Sequence, residues 1–192
     1  MYLFGYGSLI NLVSAQKSFK RVLNQEDLIP VIVKGFEKVW NSIEYIQFEG
    51  IDKTRVNGVF LNLEKNPNSS TNGVIIKITN EELELLKLRE KNYTCITIKA
   101  ANANIPLDED IIAFMTTNEE KIAKKSDANT FIPAKYIDIL TNAFPSYSQD
   151  FVFEYSKCLE NYPFALKEGI YTFSDPIQNK FAKQGVGENE SK

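Results

Sequence analysis

The run LIPVIVKGFEKVWNSIEYIQF at residues 28–48 constrains this chain more than any other feature. Val, Ile, Phe, Tyr and Trp favour a pleated, half-buried surface, so the run reads as strand. Two runs of the same character follow, VNGVFLNLE at 56–64 and GVIIKIT at 73–79. Residues 1–4, 93–101 (YTCITIKAA) and 110–117 (DIIAFMTT) add further strands. Between the long runs, KNPNSSTNG at 65–73 carries Pro, Asn, Ser and Gly and reads as a polar loop. Helices fall between and after the strands. Residues 11–23 read as helical or irregular. Residues 79–90 read as a helix, with Thr79 and Glu82 spaced for a capping box. A third helix begins after Pro133, and a fourth covers 149–161. This order lacks the regular strand–helix alternation of a doubly wound parallel sheet. The expected class is α+β, a small curved mixed sheet or barrel flanked by helices.

A chain of 192 residues is long enough to bury a core, and one domain is expected over 1–184, with a polar mobile tail at 185–192. The net charge of -3 comes without a basic stripe, which argues against nucleic acid as a partner. No apolar run approaches the ~20 residues of a spanning helix. The N-terminus lacks a basic start and its apolar stretch is broken by FGYGS, unlike a signal peptide. The expected address is therefore the cytoplasm. Cys95 and Cys158 suit that address, and sequence leaves open whether they pair. The sequence carries no signal of oligomeric state. There is no histidine. Ser-His-Asp and Cys-His catalysis are thereby excluded, and acid–base chemistry falls to Asp, Glu, Lys, Tyr or Cys.

Two local features invite a chemical reading. The first is Gly5-Tyr6-Gly7-Ser8, directly after the first strand. Glycines allow unusual φ and close backbone approach, so such a turn can aim N–H groups at an anion. An ordinary tight turn explains the same residues. It is neither a P-loop nor a dinucleotide fingerprint, because the residues those motifs require are missing. The second is NEELELLKLREKNY at 80–93. At 100° per residue, Leu83, Leu86 and Glu90 share one face with Lys87 beside them, while Leu85 and Leu88 fall on another. If the first face points inward, Glu90 is desolvated near a helix C-terminus, and both effects raise a carboxylate's pKa. Such a group is a suitable general base at neutral pH. A solvated glutamate paired with Lys87 or Arg89 is the plainer alternative.

Together these stretches resemble the gamma-glutamylcyclotransferase family, in the wider ChaC-like superfamily and in a bacterial-type form. FGYGSLI at 4–10 looks like the family's N-terminal substrate loop. NGVIIKITNEELELLKLREKNY at 72–93 looks like its second signature, and VKGFEKVWN at 33–41 resembles a strand of bacterial members. The resemblance implies cleavage of a γ-glutamyl amide by its own α-amine, yielding 5-oxoproline and an amine or amino acid. It implies Glu90 as base, the backbone around Tyr6, Gly7, Ser8 and Leu9 as the holder of the γ-glutamyl unit, and Tyr136 as a further contact. A core aromatic is the other reading of Tyr136. Tyr93 is expected to pack or orient the helix end. No metal or organic cofactor is implied, and the partner is a small-molecule γ-glutamyl substrate.

Two positions depart from the family pattern. Lys87 stands where many members have Asp, and its ammonium would lower the Glu90 pKa. Cys95 stands where many have Arg, and is expected to be a small buried hydrophobe. These departures favour an alternative function, a non-catalytic binding domain of the same fold. Arg55 and Lys99 are rim candidates by residue type alone.

Overall fold

The computed structural model describes residues 1–50 and 54–185. Its centre is a pair of long antiparallel strands, β2 (Ile29–Phe48) and β3 (Arg55–Lys77), paired from Ile29 opposite Ile75 to Gln47 opposite Arg55. At its start β2 alternates exposed Pro30 and Ile32 with buried Val31 and Val33, as a half-covered strand must. Its middle and end bury Trp40, Ile43 and Ile46.

The polar stretch at 65–73 is not a free loop. It lies inside β3, where Ser70 pairs with Lys34 and Lys65 pairs with Phe36. Residues 66–69 therefore bulge opposite Gly35, whose φ of 86° is open to glycine but strained for other residues. Turn-forming residues are accommodated as an excursion because the apolar runs on either side keep their partners.

The other strands build outward from this pair. β1 (Tyr2–Gly5) is antiparallel to the end of β3 and parallel to β5 (Ile111–Met115), which pairs with β4 (Thr94–Ile98). β6 (Thr130–Pro133) runs parallel to β3 and to the short β7 (Leu166–Lys167), and β8 (Tyr171–Phe173) lies against the end of β2. The result is the expected α+β arrangement, a curved mixed sheet flanked by helices.

Five helices accompany the strands among the described residues: α1 (Leu12–Gln16), α2 (Asn80–Arg89), α3 (Ala134–Thr141), α4 (Gln149–Ser156) and α5 (Pro176–Gln184). None is long and apolar enough to cross a membrane. The capping box of α2 forms as read. Thr79 accepts from the Glu82 N–H at 3.2 Å, and the Glu82 carboxylate accepts from the Thr79 N–H at 3.0 Å. Leu83 and Leu86 of α2 are buried and Leu88 is exposed, which settles the face that sequence periodicity left open. The polar tail expected at 185–192 lies, past Gly185, outside the described residues.

Candidate active site

β1, an interior strand between β3 and β5, leads into the glycine turn. Gly5 pairs with Val74, after which the chain bends into a 3-10 turn over Ser8–Ile10. The Ile10 N–H donates to the Gly7 carbonyl at 3.1 Å, which leaves the N–H groups of Ser8 and Leu9 without an acceptor inside the turn. The glycines are not there for positive φ; Gly7 has φ -113°. They are there for space. A Cβ on Gly7 would stand 2.6 Å from the Tyr136 hydroxyl, and one on Gly5 would stand 2.6 Å from the Leu9 Cβ.

The turn is held from behind by α4 and the segment before it. The Tyr155 hydroxyl, fully buried, donates to the Tyr6 carbonyl at 2.6 Å, and the Tyr147 hydroxyl donates to the Ile10 carbonyl at 2.5 Å. The Tyr6 side chain turns inward and donates to the Phe114 carbonyl at 2.6 Å. Burial, with the nearby Glu90 charge adding to it, pushes the Tyr6 phenol far above its usual range, so it stays neutral.

Glu90 closes α2 as its C-cap, with its N–H on the Leu86 carbonyl at 2.8 Å. Because Leu83 and Leu86 face the core, Glu90 follows them inward. Its side chain lines a cavity of about 220 Å³ together with Tyr6, Gly7, Ser8 and Leu9. Desolvation raises its pKa above the ordinary carboxylate value, opposed by Arg89 and reinforced by the Glu44 carboxylate. Arg89 holds the Glu90 Oε1 at 3.1 Å through Nε and the Ser18 hydroxyl through its other end. Glu44 is buried and anchored to Lys121 at 3.3 Å.

The structure brings Tyr6, Gly7, Ser8, Leu9, Glu90 and Tyr136 to this one cavity. Tyr136 joins the core to the cavity. Its ring packs edge-on against Trp40 and Phe60 in the core, and its hydroxyl reaches the cavity beside Gly7. Tyr93 also lines the cavity.

Several expectations fail. Lys87 is exposed and pairs with Glu84 at 2.8 Å; the cation on Glu90 is Arg89. Cys95 is exposed rather than buried, since its side of β4 carries no covering element, and both cysteines are free. Arg55 stacks on Tyr45, and Lys99 pairs with Asp110; neither lines the cavity. The basic residues that do are Arg89 and Lys17. The sequence reading also missed the wall formed by Tyr171 and Phe173 of β8 with Gln178 of α5. The aromatic pair in YTFSD was its one available signal.

The profile of the family described as "ChaC-like protein" matches residues 1–167. Among solved structures, one named gamma-glutamyl cyclotransferase superposes with a TM-score of 0.57 at 14% identity, covering 95% of this chain and 98% of the other. An uncharacterized protein of Homo sapiens, loc79017, gives 0.55 at 14% identity, with the same coverage. YkqA from Bacillus subtilis gives 0.56 at 17% identity over 86% of this chain and 56% of its own. At these identities the likeness is one of fold. No curated protein matches the chain. With the greater part of its length matched by the family profile, the chain belongs to the ChaC-like family.

Proposed function

We propose that this protein is a gamma-glutamylcyclotransferase. One observation carries the reading: the Glu90 carboxylate lines the same cavity as the turn of residues 6–9, and its partial burial raises its pKa. Membership of the ChaC-like family and the fold shared with a structure named gamma-glutamyl cyclotransferase support it.

The chemistry needs three things. The substrate must be folded so that its α-amine lies against its own γ-carbonyl, which is a positioning task. The cavity's aromatic walls, Tyr6, Tyr136 and Tyr171, restrict the chain to such a shape. The α-ammonium must lose a proton. Its pKa is near ~8, and Glu90 is the base that takes it. The charge gathering on the carbonyl oxygen must be met by donors, which the Ser8 and Leu9 N–H groups supply. The amine nitrogen then bonds to the γ-carbon, Glu90 returns its proton to the departing nitrogen as the amide C–N bond breaks, and it next takes the extra proton from the ring nitrogen and passes it to the free amine, leaving a neutral lactam. The products are 5-oxoproline and a free amine or amino acid. No metal or organic cofactor enters the scheme.

The alternative of a non-catalytic binding domain drew on Lys87 and Cys95, and neither residue lines the cavity. The test is incubation with glutathione, γ-glutamyl-alanine and a wider γ-glutamyl panel, followed by an assay for 5-oxoproline. Release from at least one substrate is expected. Silence across the panel overturns the enzyme reading.

A further inference from the structure

The cavity has a wall that the family profile does not reach. That profile ends at residue 167, and α5 begins at Pro176. Asp175 caps α5 by accepting from the Ile177 N–H at 2.9 Å and the Gln178 N–H at 3.1 Å. The same carboxylate takes Lys91, the residue after Glu90, at 2.7 Å. At its other end, the Lys17 ammonium donates to the Ala182 carbonyl at 2.6 Å. Gly185, at φ 76°, follows the helix and lies so close to the Lys17 backbone that a Cβ would stand 3.0 Å from its Cα. So α5 is pinned at one end beside Glu90 and at the other beside the helix that follows the glycine turn.

Between those pins, Gln178 faces the cavity. Its side-chain oxygen is buried and has no hydrogen-bond partner. A buried carbonyl oxygen left unpaired is destabilising, so its presence in a cavity wall asks for a donor that the protein does not provide. A carboxylate or carbonyl of a ligand cannot be that donor. An N–H group can. Every γ-glutamyl amide carries two whatever its leaving group, on the α-amine and on the amide to be cut.

We infer that Gln178 is a substrate-binding residue whose side-chain carbonyl accepts an N–H of the γ-glutamyl unit, so that α5 completes the site. This rests on the cyclotransferase reading of the same cavity. The protein without substrate keeps an unmet acceptor, and the substrate satisfies it.

The test is Gln178→Met, which keeps the length of the side chain and removes the acceptor. Steady-state release of 5-oxoproline is measured with γ-glutamyl-alanine and with glutathione, beside thermal unfolding of the free protein. The expected result is a KM raised about tenfold for both substrates, with kcat within about twofold. A tenfold change corresponds to about 1.4 kcal/mol, the size of one net hydrogen bond. Removing an unmet acceptor should leave the Tm of the free protein unchanged or higher. An unchanged KM overturns the assignment. So does a rise confined to glutathione, which would place the contact in the leaving group, and so does a lower Tm with kcat and KM altered together, which would make Gln178 a packing residue. A wild-type protein that releases no 5-oxoproline overturns both readings. An active one whose Gln178→Met variant keeps its KM overturns the role of Gln178 alone.

Discussion

Replacing Glu90 by Gln keeps the shape of the side chain and removes its ability to take a proton. A positioned general base contributes about 10²–10⁴ in rate, so kcat for 5-oxoproline release should fall by that factor. In activation free energy this is about 3–5 kcal/mol, at about 1.4 kcal/mol per tenfold. Arg89 at 3.1 Å bears on whether Glu90 is a usable base at all. Their attraction at an effective dielectric of ~20 is about 5 kcal/mol, and taking a carboxylate out of water costs several kcal/mol. The two effects are of one size. The buried Glu44 charge adds to the second, and the net direction is upward. The wild-type rate should therefore rise with pH through an apparent pKa above the ordinary carboxylate value of ~4.3, and Glu90→Gln should lose that limb. Stability carries the same signature. A carboxyl whose pKa is raised by folding contributes stability that is fully present below its unfolded pKa and lost as pH rises through the folded one. The Tm of Glu90→Gln minus that of wild type should thus grow as pH rises above the ordinary carboxylate value of ~4.3. Turnover above a tenth of wild type would refute Glu90 as base, and a Tm difference that shrinks over this range would refute the desolvation argument.

Three further outcomes check the surroundings. Gly7→Ala should cost about 1–3 kcal/mol of stability and most of the activity, because its Cβ would stand 2.6 Å from the Tyr136 hydroxyl. In urea unfolding, Gly7→Ala combined with Tyr136→Phe should cost less than the two single changes added, by more than about 0.5 kcal/mol; strict additivity would mean the hydroxyl is not what excludes the methyl. Tyr155→Phe removes the donor on the Tyr6 carbonyl. It should lower stability by about 1–3 kcal/mol and raise KM, and a variant unaltered in both would show that the turn holds itself. Lys38 lies against the Tyr155 ring and donates to Asn72, and burial lowers its pKa to about 8. The fold prefers this lysine neutral, so it contributes a gain in stability between about pH 8 and about pH 10.5 that Lys38→Met should abolish, read as the pH dependence of the Tm difference.

How legible these features were in the sequence follows from the range of the forces behind them. The capping box of α2 is a local hydrogen-bond pattern, and Thr79 and Glu82 announce it. The strands of the central pair follow from residue type. The inward face of α2 does not, because leucines lie on two sides of it. Only packing against the sheet, which buries Leu86 and leaves Leu88 in water, selects one. Helical geometry also misled the choice of cation. On a regular helix adjacent side chains point apart, which favours Lys87 over Arg89 as the partner of Glu90. Glu90, however, is the cap, with φ -93° and ψ 30°, and leaving the helix there lets consecutive residues share an ion pair. The wall of β8 and α5 lies furthest beyond local reasoning. β8 has three residues, and its place is set by pairing with the end of β2, over a hundred positions earlier. The fold thus puts Glu90 and the turn of residues 6–9 on elements whose sequences declare them. It completes the cavity with a segment defined by tertiary docking alone, through Lys91 and Asp175 at one end and Lys17 at the other. Mutations in that segment should therefore alter what the cavity accepts before they alter whether the chain folds.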